Sequence, residues 1–248
     1  MAGTSDVRET IVNPDANRLG TKLLLGIDTC GPSGSVTLGR LAEASARVEI
    51  LSQIELAGRS YSATLVAAVG DLLSRNSLRL REVGCIVAVK GPGSFTGVRV
   101  GLSAAEGLAE PARIPIVAIS RLEVLAAKAG TASSALDAHR TEIFLRFVPP
   151  NQEPVERLAG RNELAAMESP PEEIGVCDHE AAVLLRTAWP SARLVRVAAP
   201  TAADALELAA PRVLAGEFAD PMLLDGHYLR RSDAEIFGEP GARASRQG

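Results

Sequence analysis

Aromatic residues make up only 3% of this 248-residue sequence, so its core must be built from aliphatic side chains. Cysteine is equally scarce, and Cys30, Cys85 and Cys177 form no CxxC pair. Their wide spacing beside apolar runs favours free, buried thiols in a reducing compartment over a disulfide framework. The three histidines are isolated and no HExxH motif occurs, which argues against a metal site or a Cys-His catalytic pair.

Long apolar runs are also missing. None approaches the roughly 20 residues that a membrane-spanning helix needs, and residues 1–20 contain no apolar segment of the secretory kind. The formal net charge is −4, which argues against a protein that holds nucleic acid by phosphate neutralisation alone. We therefore predict a cytoplasmic protein with no membrane association.

The pattern of apolar residues predicts an α/β fold. Three alternating runs between 22 and 54 predict an antiparallel meander, and helices are predicted over 60–76 and 97–109 on either side of a strand at 85–89. A strand at 116–119 leads to a helix that ends near Ala129, with Ser120 as its cap and Glu123 in a capping box. Pro111 and Pro115 are predicted to end the helix before it.

The second half repeats the beginning in outline. Asp28 and Asp137 each follow an apolar strand, and in both cases a turn and a new strand come next. Further on, the pattern predicts a short helix at 162–167, a strand at 175–177 and helices at 179–187 and 201–215. We therefore predict a disordered extension at 1–20, an N-terminal lobe at 21–130, a C-terminal lobe at 131–230 and a mobile tail at 231–248.

A glycine-rich loop between the 85–89 strand and the next helix is the strongest motif. It fits neither common nucleotide template, because Val98 stands where a P-loop needs lysine and Thr96 stands at the third glycine of the dinucleotide fingerprint. Ser94 or Thr96 can cap the helix, and Lys90 and Arg99 can meet an anion. A structural turn and a ligand or partner contact both remain open for this loop. Its residues are Gly91, Pro92, Gly93, Ser94, Phe95, Thr96, Gly97, Val98 and Arg99.

The two helices flanking this loop are apolar over a wide arc. Gly97, Gly101 and Ala105 recur every four residues, so that one face of the second helix has almost no side chains and permits a close approach by another helix. Two such helices in a chain of this size favour a subunit interface over burial in a larger core.

Asp28 and Asp137 have two interpretations as residues that end strands at sharp turns. They can hold magnesium-bound phosphates in a cleft between duplicated lobes, or they can cap turns through local hydrogen bonds. A small-molecule kinase or ATPase would use the first arrangement.

Taken together, the motifs resemble the bacterial TsaB family. The resemblance covers about residues 22–230. It rests on the 91–101 loop, the opening strand-turn-strand at 25–36, the strand and helix at 117–123, the start of the second lobe at 136–142, and Tyr228-Leu229-Arg230 near the end. The resemblance implies an actin/hexokinase-like duplicated fold with two lobes. It also implies a non-catalytic subunit in the synthesis of N6-threonylcarbamoyladenosine in tRNA.

The family resemblance further implies partners. A TsaD-like catalytic subunit would bind the first two helices of the N-terminal lobe, a TsaE-like ATPase would join the pair, the chain alone would form a homodimer, and tRNA would be met through the complex. It implies no metal, no catalytic residue and no cofactor of the chain's own, while leaving room for a nucleotide at the joint between subunits. The contact residues would be drawn from Tyr61, Leu65, Ala68, Leu72, Val98, Leu102, Ala105 and Leu108. Tyr61 stands where many relatives carry histidine, and Asp28 and Asp137 would mark a vestigial nucleotide cleft.

Two other functions stay open beside that of a partner-binding subunit. A small-molecule kinase or ATPase of the same fold would act at Asp28 and Asp137, but it lacks a glycine-rich phosphate loop after Asp137. A peptidase would need a nucleophile or a bound metal that no motif supplies.

Overall fold

The computed structural model describes residues 20–57, 61–220 and 224–229, so the extension at 1–19 and the tail from 230 lie outside the described residues. The chain begins with a five-stranded sheet in the order β3-β2-β1-β4-β5. Its strands are β1 Thr21–Asp28, β2 Ser33–Ala42, β3 Arg47–Ala57, β4 Cys85–Val89 and β5 Ile116–Ile119. The first three form the predicted antiparallel meander, while β4 and β5 run parallel to β1.

Helices cover both faces of this sheet. The helices α1 Tyr61–Arg75 and α2 Phe95–Ala112 pack against each other and against the face to which Ile27 contributes. Gly26, one residue earlier on β1, faces the opposite side, where α6 Ala202–Ala215 lies. The alternation of side chains along a strand explains why neighbouring residues meet different helices.

A second sheet repeats the first. Its order is β10-β9-β6-β7-β8, formed by β6 Ser134–Asp137, β7 Glu142–Phe147, β8 Val155–Gly160, β9 Glu173–Val176 and β10 Arg193–Arg196. As in the first sheet, an antiparallel meander is followed by two parallel strands, so β6 corresponds to β1 and β9 to β4. The repeat inferred from Asp28 and Asp137 is therefore a duplication of the whole sheet, and the predicted two-lobed α/β fold is confirmed.

The third helix of each lobe crosses to the other lobe. α3 Arg121–Ala129 follows β5 but packs on β6, β7 and β9, whereas α6 follows β10 but packs on β1 to β5. Leu122 and Leu125 of α3 are buried with Phe144 of the second sheet. A single boundary near residue 130 is therefore wrong for these helices, because each lobe is completed by a segment from the other half of the chain.

Several local predictions need correction. The strands β8 and β10 are present where no strand was predicted, and the short helix α4 is Arg161–Ala165. Ser120 occupies the N-cap of α3 but makes no side-chain cap, because its hydroxyl donates to Glu156 at 2.7 Å instead. Glu123 pairs with Arg212 of α6, so the predicted capping box does not form. Pro111 lies within α2, whose C-cap is Arg113 in the left-handed conformation.

The remaining helix, α5 His179–Ala188, follows β9 as predicted and packs on the second sheet. Its N-cap is Asp178, which accepts a hydrogen bond from the Ala181 amide. The three cysteines carry free thiols. Across the described ranges, every helix is too short or too polar to cross a bilayer.

Candidate functional site

The glycine-rich loop packs tightly against the end of β1. Gly91 has φ +103°, which favours glycine, and the Ser94 side chain accepts from the Gly97 amide at 3.2 Å to cap α2. The Ser94 amide donates to the Cys30 carbonyl at 2.8 Å. A Cβ atom at Gly93 would overlap that carbonyl, so glycine is required there by close approach of backbone to backbone. The structural-turn interpretation of the loop therefore has direct support.

The small face of α2 approaches a strand end and not another helix. The Thr29 hydroxyl donates to the Gly97 carbonyl at 2.6 Å, and a Cβ atom at Gly97 would overlap the Thr29 carbonyl. A Cβ atom added at Gly101 would overlap the Thr29 hydroxyl. Ala105 is fully buried in the lobe's own core. The prediction of an approaching partner helix on this face is wrong, because β1 of the same chain fills the space.

Burial also corrects the predicted partner contacts. Six of the eight side chains are core residues with 0–5% exposure, namely Tyr61, Leu65, Leu72, Val98, Leu102 and Ala105. Ala68 and Leu108 are half-buried against the same core. Tyr61 donates from its hydroxyl to the Gly31 carbonyl at 2.8 Å, and burial, with the nearby Asp28 carboxylate, raises its pKa to about 12. This residue supports the loop after β1 and is not a surface contact.

The surface of α1 and α2 that does face outward carries other residues. Val66 is 60% exposed, and a Cβ atom added at Gly70 or Gly107 would meet no other residue within 4 Å. Small or apolar residues lie one turn away from each of them on the same helix, which forms an outward face of α1 and α2 with few large side chains. We define it by Ala63, Val66, Ala67, Gly70, Ala104, Gly107 and Leu108.

Two distant parts of the sequence meet in an aromatic cluster beside the loop. The rings of Phe95 and Tyr228 lie 4.9 Å apart, and the Arg99 guanidinium carbon lies 3.9 Å from the centre of the Phe95 ring. Arg99 Nε also donates to the Tyr228 hydroxyl at 3.3 Å. The amide of His227 donates to the Lys90 carbonyl at 2.7 Å, which fixes the segment 224–229 across the end of β4. The loop motif and the closing tripeptide thus form one structural unit.

Asp28 and Asp137 are both engaged by neighbouring groups. Asp28 is 1% exposed, accepts from the Cys30 amide at 2.8 Å and lies 3.6 Å from Arg121 Nε. Asp137 accepts from the His139 amide and pairs with His139 Nδ1, each at 2.8 Å. These bonds match the turn-capping interpretation of the two carboxylates. Within the described residues, no group of three His, Cys, Asp or Glu side chains is arranged to hold a metal ion.

Arg121 is the important residue that sequence reasoning missed. It is the first residue of α3, it is 5% exposed, and its amide donates to the Gly91 carbonyl. Burial lowers the pKa of its guanidinium, but the negative charge of Asp28 beside it opposes that effect, and the net shift is upward, so the group stays charged. Arginine at a helix start gives no signal of a buried ion pair, because its carboxylate partner lies 93 residues earlier.

A cleft of about 780 Å³ lies between the two lobes. Asp137 lines it directly, whereas Asp28 sits behind Arg121 and does not. The loop contributes Gly93, Ser94, Phe95 and Val98 to its wall, so the strongest motif and one of the two predicted cleft carboxylates share this space.

Glu156 of β8 joins the lobes through buried polar contacts. Its carboxylate accepts from Ser120 at 2.7 Å, lies 2.8 Å from His227 Nε2 and pairs with Arg146 at 3.1 Å. Burial raises the pKa of Glu156, but the hydrogen bonds of His227 and Ser120 and the charges of His227 and Arg146 outweigh it, so the net pKa lies below the ordinary value of a glutamate. The sequence gives no sign of this contact.

This network makes stability depend on acidity. Because the folded pKa of Glu156 lies below the unfolded value, its stabilisation is fully present above the ordinary pKa of glutamate and is lost as pH falls through the folded pKa. We expect Glu156→Gln to lower the free energy of unfolding by about 2 kcal/mol at pH 7. The difference between the two proteins should shrink as urea unfolding is repeated from about pH 6 to about pH 3. A constant difference over that range would contradict the role of the charged form.

Comparisons with known proteins fit this architecture. A family model described as TsaD, tRNA N6-adenosine threonylcarbamoyltransferase, matches residues 48–160. The tRNA threonylcarbamoyladenosine biosynthesis protein TsaB of Haemophilus influenzae is 34% identical over 131 residues, or 50% of this chain and 53% of that protein. The TsaB protein of Escherichia coli is 31% identical over 127 residues, covering 49% and 52%. The chain thus matches about half the length of these curated relatives.

One solved structure extends the similarity to most of the chain. It is an uncharacterized Pseudomonas aeruginosa protein with similarity to peptidase YeaZ, with TM-score 0.68 and 25% identity over 84% of this chain and all of that one. Two duplicated sheets, with helices that cross between them and a cleft at the ends of β1 and β6, define an actin/hexokinase-like protein. Within that class, the chain is similar to TsaB proteins over about half its length and to the YeaZ-like structure over 84% of it.

Proposed function

We propose that this chain is a non-catalytic subunit in the synthesis of N6-threonylcarbamoyladenosine in tRNA, acting in the cytoplasm. The proposal draws first on the similarity of the chain to TsaB proteins. TsaB relatives are described as tRNA threonylcarbamoyladenosine biosynthesis proteins, and the matching family model is that of the transferase itself. Asp28 and Asp137 are each engaged by the chain's own groups, an arrangement that fits turn capping better than phosphate binding.

The partner we propose is a TsaD-like catalytic subunit, bound to the outward face of α1 and α2. The observation that supports this choice is a pair of glycines in mid-helix, Gly70 and Gly107, each facing open space. A glycine inside a helix costs about 1 kcal/mol relative to alanine, and neither position has an internal contact that requires it. Close approach of a second backbone gives both glycines a purpose, and exposed Val66 supplies apolar area beside them.

In this proposal the rest of the assembly follows from the same face. A TsaE-like ATPase joins the pair, and tRNA is met through the complex. Without the catalytic partner, two copies of the chain form a homodimer in which each copy covers the outward face of the other.

Arginine on the outward face tests the assignment. We expect Val66→Arg and Gly107→Arg to weaken binding of a co-expressed TsaD-like subunit by at least about 30-fold, because each places a charge in a desolvated contact. The matched control is Val183→Arg on α5, where the valine is 45% exposed in the other lobe. Size-exclusion chromatography and calorimetry measure the loss, and unfolding curves verify that each variant is folded.

The arginine variants distinguish a partner-binding role of α1 and α2 from a role confined to the core of their lobe. Leu102 and Ala105 are buried, so arginine there would unfold the lobe and reveal nothing about partners. If folded Val66→Arg and Gly107→Arg both keep wild-type affinity, the outward face is not the binding surface.

The competing function is a kinase or ATPase acting at the cleft. Calorimetry and a turnover assay with magnesium and ATP on the isolated chain distinguish the two functions. Turnover by the chain alone would overturn the non-catalytic assignment, whereas modification of tRNA only with the partner present would support it.

A further inference from the structure

The cleft between the lobes has unused hydrogen-bond donors and an apolar wall. Its volume of about 780 Å³ lies within the range of small-molecule sites. Phe95 and Tyr228 enter it from the first lobe and the segment 224–229, and Phe144 enters it from the second lobe. The wall therefore suits a ligand with a compact apolar or aromatic body.

The acidic groups of the cleft are engaged by donors of the chain itself. Asp178 accepts from the Ala181 amide at 2.8 Å and from the Asp137 amide at 2.9 Å. Both oxygens of Asp137 are taken by His139. Each of these oxygens already has a donor close to it, which competes with a metal ion for the carboxylate.

Arg121, in contrast to these carboxylates, has a side-chain nitrogen that makes no hydrogen bond within the described residues. This buried atom, Nε, has no hydrogen-bond partner because it faces Asp28 Oδ2 at 3.6 Å, which balances its charge without a hydrogen bond. The terminal nitrogens of the guanidinium, and not Nε, are therefore the donors that a ligand in the cleft would meet. The guanidinium reaches the cleft wall beside Gly31, where a side chain in place of the glycine would collide with it. A buried arginine with spare donors offers a planar fork for a carboxylate or phosphate.

The start of α2 adds donors from a second direction. Ser94 and Phe95 line the cleft, and the first amides of a helix have no partner within it. The positive end of the helix favours a negative group at this point. The donors of Arg121 and of the start of α2 thus favour a negative group in this part of the cleft.

We propose that the inter-lobe cleft is a metal-independent binding site for a small organic anion, a carboxylate or phosphate monoester with an apolar or aromatic body, anchored by Arg121. This site is independent of the outward face of α1 and α2. It differs from the magnesium-phosphate arrangement considered for Asp28 and Asp137, because its anchor is a cation of the chain and not a bound ion.

Four probes of matched size test the proposal by NMR on the uniformly labelled full chain. Benzoate and phenyl phosphate carry the two head groups, while benzamide and benzyl alcohol keep the ring without the charge. We expect one or both anions to shift the amides of Gly31, Gly93 and Phe95 with millimolar affinity, in EDTA, and at least about tenfold more tightly than the neutral probes. The tighter anion identifies the preferred head group.

An arginine variant locates the anchor. Arg121→Lys keeps the charge beside Asp28 but removes the planar fork, so we expect about tenfold weaker binding of the anion. Arg75→Lys, an exposed ion pair on α1, is the matched control and should leave affinity unchanged. If Arg121→Lys does not fold, the comparison of charged and neutral probes on the wild-type chain still decides.

Several results would contradict the proposed anion site. If neither benzoate nor phenyl phosphate binds more tightly than the two neutral probes, charge plays no part in the cleft. Shifts only outside the cleft, binding that requires Mg²⁺, or no shifts up to about 20 mM ligand would each overturn the site, given the millimolar affinity that a probe of this size should reach.

Discussion

Alanine at Gly97 is expected to destabilise the N-terminal lobe by about 3 kcal/mol or more, which lowers the melting temperature of a chain of this size by about 6–12 °C. The added Cβ would overlap the Thr29 carbonyl oxygen. That carbonyl belongs to backbone at the end of β1 and cannot rotate away as a flexible side chain would. Moving α2 outward would break the bond between the Thr29 hydroxyl and the Gly97 carbonyl.

Gly107 provides the control within the same helix. An added Cβ there would meet no other part of the chain within 4 Å, so Gly107→Ala should stabilise the monomer, at a dilution where the proposed homodimer dissociates, by about 0.5–1 kcal/mol through helix propensity. Thermal and urea unfolding of both variants measure the difference. Equal effects of the two substitutions would mean that α2 does not pack against Thr29 as described.

The same contrast explains how far sequence reasoning reached. Residue size correctly indicated that something approaches α2 closely at Gly97, Gly101 and Ala105. It carried no information about what approaches, and a strand end of the same chain fills that space. The wide apolar arcs of α1 and α2 likewise marked these two helices as unusual. The residues predicted as partner contacts, however, mostly form the core of their own lobe.

The strands show the same division between local and distant information. β1 to β5 were predictable because their alternation and apolar runs are local features. β8 and β10 were missed because each is a short strand at the edge of its sheet, with polar residues on both faces. The crossing of α3 and α6 was unpredictable, since an amphipathic pattern gives the buried face of a helix but not the sheet that covers it.

The candidate site followed the same rule. The loop 91–99 and Tyr228 were each recognised by resemblance, yet only the fold brings Phe95 and Tyr228 into contact. Asp28 was recognised from its place at the end of a strand. Its partner Arg121 was not, because the ion pair depends on the order of β1, β4 and β5 in one sheet, which brings the start of α3 to the end of β1.

Loss of that partner should be among the most costly substitutions in the chain. We expect Arg121→Met to lower the free energy of unfolding by about 3–5 kcal/mol, because methionine replaces much of the stem but leaves Asp28 as a buried carboxylate with no cation nearby. Asp28 is 1% exposed, so water cannot replace the guanidinium without opening the fold. The free energy of unfolding from urea titration at neutral pH is the measurement.

A double substitution tests whether the cost is the stranded charge or lost packing. Asp28→Asn keeps an oxygen that can accept from the Cys30 amide, now held at 2.8 Å, while removing the charge. Arg121→Met combined with Asp28→Asn should therefore recover at least about 2 kcal/mol relative to the sum of the single substitutions. Strict additivity would mean that the two side chains do not interact, and Arg121 would then be held by packing alone. A recovery would show that the charge of Asp28, buried at the end of β1, is what keeps Arg121 at the wall of the cleft.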